Sequence, residues 1–375
     1  MDQDISLIGL EQKLFSDALS NRIPVFGSFE LSPYCNLACK MCYVKETAPG
    51  LPVLRGEDWL SIAQRAAQAG TMFAALSGGE PLLHPDFREI YSGLKKLGMV
   101  VTLNTNATMI DEDMADFLAK DMPRRVNVTL YGASAETYEQ LCGSGAAFDK
   151  VIRAIELMQA RRIPVKINIT PTTINYHDLD NIYALCRKYG LHVETALYVF
   201  EPIRKMEPGK QMYRLTPEQT AIVHEKWDRY IYTEKAMLLR AQYAKAALAH
   251  FDESRSREGT EQISCSAGTG AYTICWDGKM VPCTGMTAPR ADVREVGFAA
   301  AWEETKAYRD TLRVPAVCSG CSLKPFCMVC AAMNLHANNA FDQPVQFMCD
   351  ATKEYAQRLA KMIPDKAEKE NDHEV

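Results

Sequence analysis

Between residues 24 and 200, apolar and polar positions follow two periods that take turns along the chain. Short apolar runs of strand character occupy residues 25–31, 72–76, 99–103, 126–130, 165–169 and 193–199. Between them lie stretches of helical period at 57–68, 86–97, 112–118, 149–160 and 179–189. Strands and helices in alternation predict βα units on a parallel sheet. In the last helix Leu179, Ile182, Tyr183, Leu185 and Cys186 share one side, so Cys186 reads as a small core hydrophobe. Six such units are too few for a closed eight-stranded barrel, and the expected fold is α/β, an open, partial (β/α)6 barrel. Its functional face should lie where strands end and loops begin.

Residues 1–23 carry a helical pattern (Leu7, Leu10, Leu14, Phe15, Leu19) and predict an N-terminal cover. Beyond the last strand, residues 201–209 read as a loop and 216–248 as a long helical region. Thr216-Pro217-Glu218-Gln219 supplies that region with an N-cap, a proline at the first helical position and a capping-box glutamine. The charged stretch 252–261 marks a boundary. The expected division is a cover at 1–23, the barrel with its linking helices at 24–250, a small cysteine-rich domain at 251–350, and a C-terminal helix with a tail at 351–375. The tail from residue 364 is charged and poor in apolar residues, which predicts disorder.

Composition narrows the class. The chain is 47% hydrophobic and 24% charged, as expected of a globular protein. A net charge of -5 without a basic stripe argues against a nucleic-acid partner. No apolar run reaches the roughly 18 residues of a membrane span, and Asp2 and Asp4 stand where a signal peptide would be basic. A cytoplasmic protein without a membrane partner is expected. Thirteen cysteines are many for that compartment, where disulfides are rare, so those that cluster point to metal ligation. Cys142, Cys186 and Cys275 stand outside the clustered spacings.

Directly after the first strand, Cys35, Cys39 and Cys42 fall within the eight residues Cys35-Asn36-Leu37-Ala38-Cys39-Lys40-Met41-Cys42. Three thiolates on one loop can hold three corners of an iron-sulfur cube that normally takes four cysteines, leaving one iron open. A structural zinc site lacking a ligand is the alternative. After the second strand comes Ser77-Gly78-Gly79-Glu80-Pro81. Its glycines let backbone approach a ligand closely, and Glu80 offers an acceptor to a cationic amine. A plain turn before the next helix is the alternative here.

Together these motifs resemble the radical SAM superfamily over residues of roughly 25 to 200. The resemblance implies that Cys35, Cys39 and Cys42 hold a 4Fe-4S cluster whose open iron chelates S-adenosylmethionine, which is cleaved reductively to a 5′-deoxyadenosyl radical. It implies that Ser77, Gly78, Gly79 and Glu80 receive the amine of that cofactor. Asn104, Asn106, Thr129, Arg153, Asn168 and Thr170 stand where the family contacts ribose, carboxylate and adenine. Met41 departs from the aromatic usual before the third cysteine, with Tyr43 following instead; methionine can still cover adenine.

The C-terminal cysteines resemble the seven-cysteine SPASM extension of these enzymes. Cys265 and Cys283 flank Gly278, then come Cys318, Cys321, Cys327, Cys330 and, after a gap, Cys349. The resemblance implies two auxiliary 4Fe-4S clusters, three clusters in all. Cys318, Cys321, Cys327 and Cys349 would hold the one remote from the barrel; Cys265, Cys283 and Cys330 would hold the nearer one. A pair of zinc knuckles is the competing reading of the spacings. Two departures stand out: only two residues separate Cys327 from Cys330, and no cysteine precedes Cys265 to complete the nearer cluster. Cys275, in a strand leading to the Asp277-Gly278 turn, is the candidate fourth ligand; without it an iron is open to substrate. Cys142, in a glycine-rich turn after a helix, is either an ordinary thiol or a hydrogen-atom donor.

SPASM-bearing relatives mostly modify peptides or proteins, which implies an enzyme of peptide maturation: a thioether or carbon-carbon crosslink, an epimerisation or an oxidation. Thr284 stands where the sulfatase-maturing branch has an aspartate, which lowers that branch. The N-terminal region is short for a winged-helix peptide-recognition domain, so leader binding would need another surface or a partner. The same chemistry on a porphyrin side chain or an alcohol is the second reading, and a non-enzymatic electron-transfer scaffold the third. A reducing partner such as flavodoxin or ferredoxin is implied by the first two.

Overall fold

The computed structural model describes residues 7–43, 50–201, 213–252 and 262–363. The predicted loop after Glu201, the boundary segment after Asp252 and the tail from residue 364 lie outside the described residues. Six parallel strands follow one another both in sequence and across the sheet: β1 (Phe26–Glu30), β2 (Phe73–Ser77), β3 (Val100–Thr105), β4 (Arg125–Thr129), β5 (Val165–Ile169) and β6 (His192–Thr195). The predicted strands are all present with small shifts; β6 ends at Thr195, earlier than the expected residue 199.

Right-handed crossovers between successive neighbours place the connecting helices on one face of the sheet. Phe29, Leu76, Val101, Leu103, Val126, Val128, Ile167 and Ile169 pack there in one core with Trp59, Ile90, Leu118, Ile155 and Ile182 of the helical layer. The alternate residues form the inner face of the partial barrel; Phe26, Phe73, Ala75 and Val100 are apolar, and the others are polar, among them Ser28, Glu30, Thr102, Asn104, Arg125, Asn127, Thr129, Lys166, Asn168 and Glu194. A parallel sheet buried on both faces would show continuous apolar runs instead. The alternation therefore marks a surface that receives polar material.

The helix Leu7–Ser20 packs at the N-terminal ends of these strands. Phe15 stacks on Phe73 with ring centroids 5.0 Å apart, in a cluster with Ala18, Val25, Phe26 and Val100. The opposite end of the barrel carries the strand-end loops.

The predicted long helix of residues 216–248 is two, Pro217–Ile231 and Glu234–Ala249. Tyr232 takes extended backbone between them, and the Thr233 hydroxyl accepts the Ala236 amide to start the second. The cysteine-rich segment then returns to the same sheet. β7 (Ala271–Ile274) pairs in parallel with β1, and β8 (Lys279–Val281) and β9 (Ala291–Asp292) extend the sheet antiparallel to nine strands. The helix Gln346–Ala360 closes the molecule against the two linking helices through Ala221, Met237, Ala241, Ala244, Tyr355 and Leu359. Within the barrel one helix lay outside the sequence reading: Ala135–Cys142, whose N-cap Ser134 accepts the Thr137 amide; in the cysteine-rich segment Phe298–Arg309 and Ala331–Asn338 were likewise not predicted.

Candidate active site

The cysteine loop leaves β1 at the C-terminal end of the barrel and is held there by the glycine turn after β2. The Gly79 amide donates to the Ser32 carbonyl at 2.7 Å and the Glu80 amide to the Tyr34 carbonyl at 2.8 Å. Gly78 has φ +133, and a Cβ on it would come 2.6 Å from the Ser32 carbonyl oxygen. A Cβ on Gly79 would overlap the Tyr34 carbonyl. The glycines are required by the backbone of the cysteine loop itself, a closer neighbour than the ligand they were expected to admit.

Glu80 also differs from the open amine acceptor expected. It is fully buried, and its carboxylate accepts from the Thr105 hydroxyl at 2.6 Å, the Asn106 amide at 2.8 Å and the Leu82 amide at 3.1 Å. Burial pushes its pKa up to about 7, against those three hydrogen bonds. Glu80 thus fixes the loop after β3 relative to the turn after β2. That loop in turn reaches the cysteines: Asn106 Nδ2 donates to Asn36 Oδ1 at 2.9 Å and lies 3.6 Å from Cys35 Sγ. The Leu37 amide lies 3.4 Å from the same sulfur. Two N–H donors directed at one sulfur suit a thiolate that carries iron. Burial pushes the bare Cys35 thiol up to about 11, so binding iron there would release a proton.

The other side of the cysteine loop rests on the end of the helix Ala135–Cys142. The Ala38 amide donates to the Cys142 carbonyl at 2.9 Å and the Lys40 amide to the Leu141 carbonyl at 3.0 Å. Cys142 is the last residue of that helix and fully buried, with Gly143 at φ +71 behind it. Its thiol is hydrogen-bonded to Cys39, which with burial raises its pKa. Tyr131, unlike Cys142, was not singled out in the sequence. Its phenol, buried just beyond β4, also hydrogen-bonds Cys39 and is raised mainly by burial. Neither carries a spacing signal, because the helix and strand that deliver them are remote in sequence from the cysteines.

Met41 is 6% exposed and belongs to the main core, and Tyr43 lies 6.1 Å from Phe200 between ring centroids. Ser77 ends β2, and its carbonyl accepts the Leu31 amide at 2.9 Å. Asn104 on β3 accepts from Asn127 Nδ2 at 2.7 Å. Thr129 and Asn168 are register partners on β4 and β5, with Asn168 Oδ1 lacking a hydrogen-bond partner. Thr170 follows β5, and its carbonyl accepts Asn175 Nδ2 at 3.2 Å. Arg153 is a correction: it lies on the helix Ala147–Ala160 with 59% of its side chain exposed, paired with Glu112 of a neighbouring outer helix at 2.8 Å. A helical residue after a strand was expected to reach the site, but its position on the solvent side of the helix turns it away.

The C-terminal cysteines gather in two sets. Cys349, on its helix, has Cys327, Cys318 and Cys321 as electrostatic neighbours, and Cys283 has Cys330 and Cys265. Burial pushes the Cys349 and Cys283 thiols up to about 12. Successive turns fold the first set: the Cys321 amide meets the Cys318 carbonyl at 3.4 Å, and the Cys327 amide the Lys324 carbonyl at 3.1 Å. Cys275 is fully buried at the β7–β8 turn, its amide on the Lys279 carbonyl at 2.8 Å. Among the described residues, no three His, Cys, Asp or Glu side chains converge as ligands of a single ion would. Around tetrahedral zinc, sulfurs stand only about 3.8 Å apart. An iron-sulfur cube is larger than an ion and spreads its ligands further.

Comparison with known proteins agrees with this architecture: the Radical SAM superfamily matches residues 29–186. Residues 29–186 thus carry a radical SAM domain, and in fold the chain resembles the SPASM-type radical SAM enzymes. The fold implies S-adenosylmethionine and a 4Fe-4S cluster as cofactors. An AdoMet-dependent heme synthase of Methanosarcina barkeri is 26% identical over 326 residues, 82% of this chain and 91% of that one. A heme synthase of Oleidesulfovibrio alaskensis is 23% identical, over 80% of this chain and 83% of its own length. Among solved structures, anSMEcpe with bound AdoMet superposes at TM-score 0.67 with 20% identity, over 90% of this chain and 99% of that one. Streptococcus suis SuiB bound to the precursor peptide SuiA gives 0.64 with 17% identity, over 91% and 82%. Among the described residues, no helix is long and apolar enough to cross a membrane.

Proposed function

We propose that this enzyme cleaves S-adenosylmethionine at a cluster held by Cys35, Cys39 and Cys42 and abstracts a hydrogen atom from a porphyrin side chain. The observation that carries the radical chemistry is the three-thiol loop, with two N–H donors on Cys35, standing at the end of a barrel whose inner face is polar. When bound, the cluster and cofactor supply the electron and the 5′-deoxyadenosyl radical. The chain's own residues hold and orient them. Asn106 and the Leu37 amide stabilise charge on sulfur, Glu80 locks the two supporting loops together, and Met41 keeps the loop anchored in the core. Ser77, Gly78 and Gly79 would receive the cofactor amine, and Asn104, Thr129, Asn168 and Thr170 its remaining polar groups. Cys318, Cys321, Cys327 and Cys349 would hold one auxiliary cluster and Cys265, Cys283 and Cys330 another, with Cys275 or substrate as its fourth ligand.

The porphyrin substrate is favoured by heme synthases that align with four-fifths of the chain. Peptide maturation is the second reading, favoured by fold neighbours that carry bound peptides. A flavodoxin or ferredoxin would serve as electron donor in either case. Anaerobic reconstitution should load about twelve irons per chain if three full clusters form, and four or fewer would sink the auxiliary assignment. With S-adenosylmethionine and dithionite the protein should release 5′-deoxyadenosine, and Cys39→Ala should abolish the release. Turnover retained in that variant would refute the role given to the loop. Consumption of a porphyrin with matching deoxyadenosine supports the first substrate; consumption of a peptide alone overturns it.

A further inference from the structure

The inner face of the barrel carries two cations that the chemistry above leaves unused. Arg125 opens β4 and Lys166 is the second residue of β5. The register sets Arg125 opposite Thr102, and Lys166 opposite Asn127 on one side and His192 on the other. Arg125 and Lys166 are therefore diagonal neighbours on adjacent strands and the same face, about 7–8 Å apart at their Cα–Cβ positions. Both are partly buried. Lys166 Nζ lies 3.6 Å from Glu194 Oε2, a carboxylate whose side chain is 54% exposed. No ion pair to Arg125 is formed among the described residues, and its Nε is buried without a hydrogen-bond partner. The other inner-face carboxylate, Glu30, stands on β1.

Two like charges at this spacing repel, and desolvation adds to the cost. Burial and then Arg125 lower the pKa of Lys166, with Glu194 acting against them. One exposed carboxylate does not neutralise the pair, and an anion between them would. Two orphan acceptors share this face. Asn127 is 8% exposed, spends its Nδ2 on Asn104 and leaves its Oδ1 without a partner, as does Asn168 at the far end of β5. Asn127 stands level with Lys166, and only Asn168 lies nearer the cysteine loop than the two cations. β6 is the edge of the sheet, so Lys166 and Glu194 stand beside the lateral entrance.

We propose that Arg125 and Lys166 form a carboxylate-binding site that seats an acidic side chain of the substrate within the barrel, with Glu194 as its competing counter-charge. The proposal rests on the radical enzyme reading for its purpose but not for its binding chemistry. Porphyrin propionates and acidic peptides share that chemistry, and the test separates them.

The cluster-loaded full chain is titrated, by Soret absorbance, with a porphyrin bearing four propionates and with its uncharged tetraamide. The acid should bind about tenfold more tightly than the amide. Arg125→Gln and Lys166→Gln should each weaken the acid about five- to tenfold and leave the amide unchanged. Glu194→Gln should tighten the acid about two- to threefold, a gain that a structural role for these residues does not produce. Displacement of the bound porphyrin by a glutamate-containing peptide but not its glutamine analogue also supports the carboxylate site. Equal binding of acid and amide, or equal loss of both in the glutamine variants, overturns it. Substrate-free deoxyadenosine release by the wild type is measured alongside. Its absence from the wild type would refute the radical reading while leaving the binding result standing.

Discussion

At the scale of single residues, the strongest constraint is the contact between the glycine turn and the cysteine loop. Gly79 has no room for a methyl group because the Tyr34 carbonyl occupies the space, and its amide holds the Ser32 carbonyl. Gly79→Ala should therefore cost about 1–3 kcal/mol and displace the three cysteines together. The expected outcome is a lowered thermal midpoint in the metal-free protein and reduced iron uptake at that loop; an unchanged midpoint would refute the steric role. The motif was legible in sequence, but its reason was not. Two glycines and a glutamate after a strand announced a close approach, while the partner in that approach is the chain's own backbone. Arg153 shows the converse, since periodicity identified its helix and not which side of the helix met solvent.

At the scale of elements, the helices Pro217–Ile231, Glu234–Ala249 and Gln346–Ala360 meet around a buried polar group of residues. His224 stacks on Tyr355 at 3.8 Å, Arg240 Nε pairs with Asp228 at 2.8 Å, and the Tyr355 hydroxyl donates to the Asp228 carboxylate. Burial first and Arg240 second push the His224 pKa down to about 3. The unfolded chain, with an ordinary histidine near 6.5, takes up the proton first. Stability from neutral His224 is therefore complete above about pH 6.5 and is lost as pH falls towards about 3. Between pH 7 and pH 5 this amounts to about 2 kcal/mol. His224→Phe keeps an aromatic ring against Tyr355 and should reduce the drop in thermal midpoint over that interval. An identical drop in both proteins would assign the acid sensitivity elsewhere. Sequence period predicted the helical region but not the break at Tyr232; Asp228 and Arg240, which join the two halves, are local, and Tyr355 is added from far along the chain.

For the whole molecule, each strand of the barrel was visible as an apolar run, and a change in pattern after residue 250 led to the expectation of a separate cysteine-rich module. The strict alternation in strands such as Arg125–Thr129 and Val165–Ile169, which reading them as apolar runs passed over, makes the polar inner face. The union of the two parts was not visible, because β7 is four residues long and its partner β1 lies near the other end of the chain. Their pairing makes one sheet of both modules. Tyr272 of β7 packs its ring edge-on to Phe29 of β1 at 6.3 Å and to Phe298 at 5.2 Å, and its hydroxyl meets Thr71 at 2.9 Å. Arg22, behind the N-terminal helix, pairs with Asp310 at 2.8 Å, and its carbonyl accepts the Trp302 indole at 3.0 Å. Neither module can lose its structure without exposing part of the other's core and leaving a strand edge unpaired. The metal-free full chain should accordingly unfold in one calorimetric transition, with near-UV and far-UV signals coinciding. Tyr272→Ala, which removes the ring at the junction, should cost about 3–5 kcal/mol and split or broaden that transition. Two well-separated transitions in the wild type would mean that the shared sheet does not couple the modules. The radical site and the C-terminal cysteines would then be held in register by their cofactors and substrate alone.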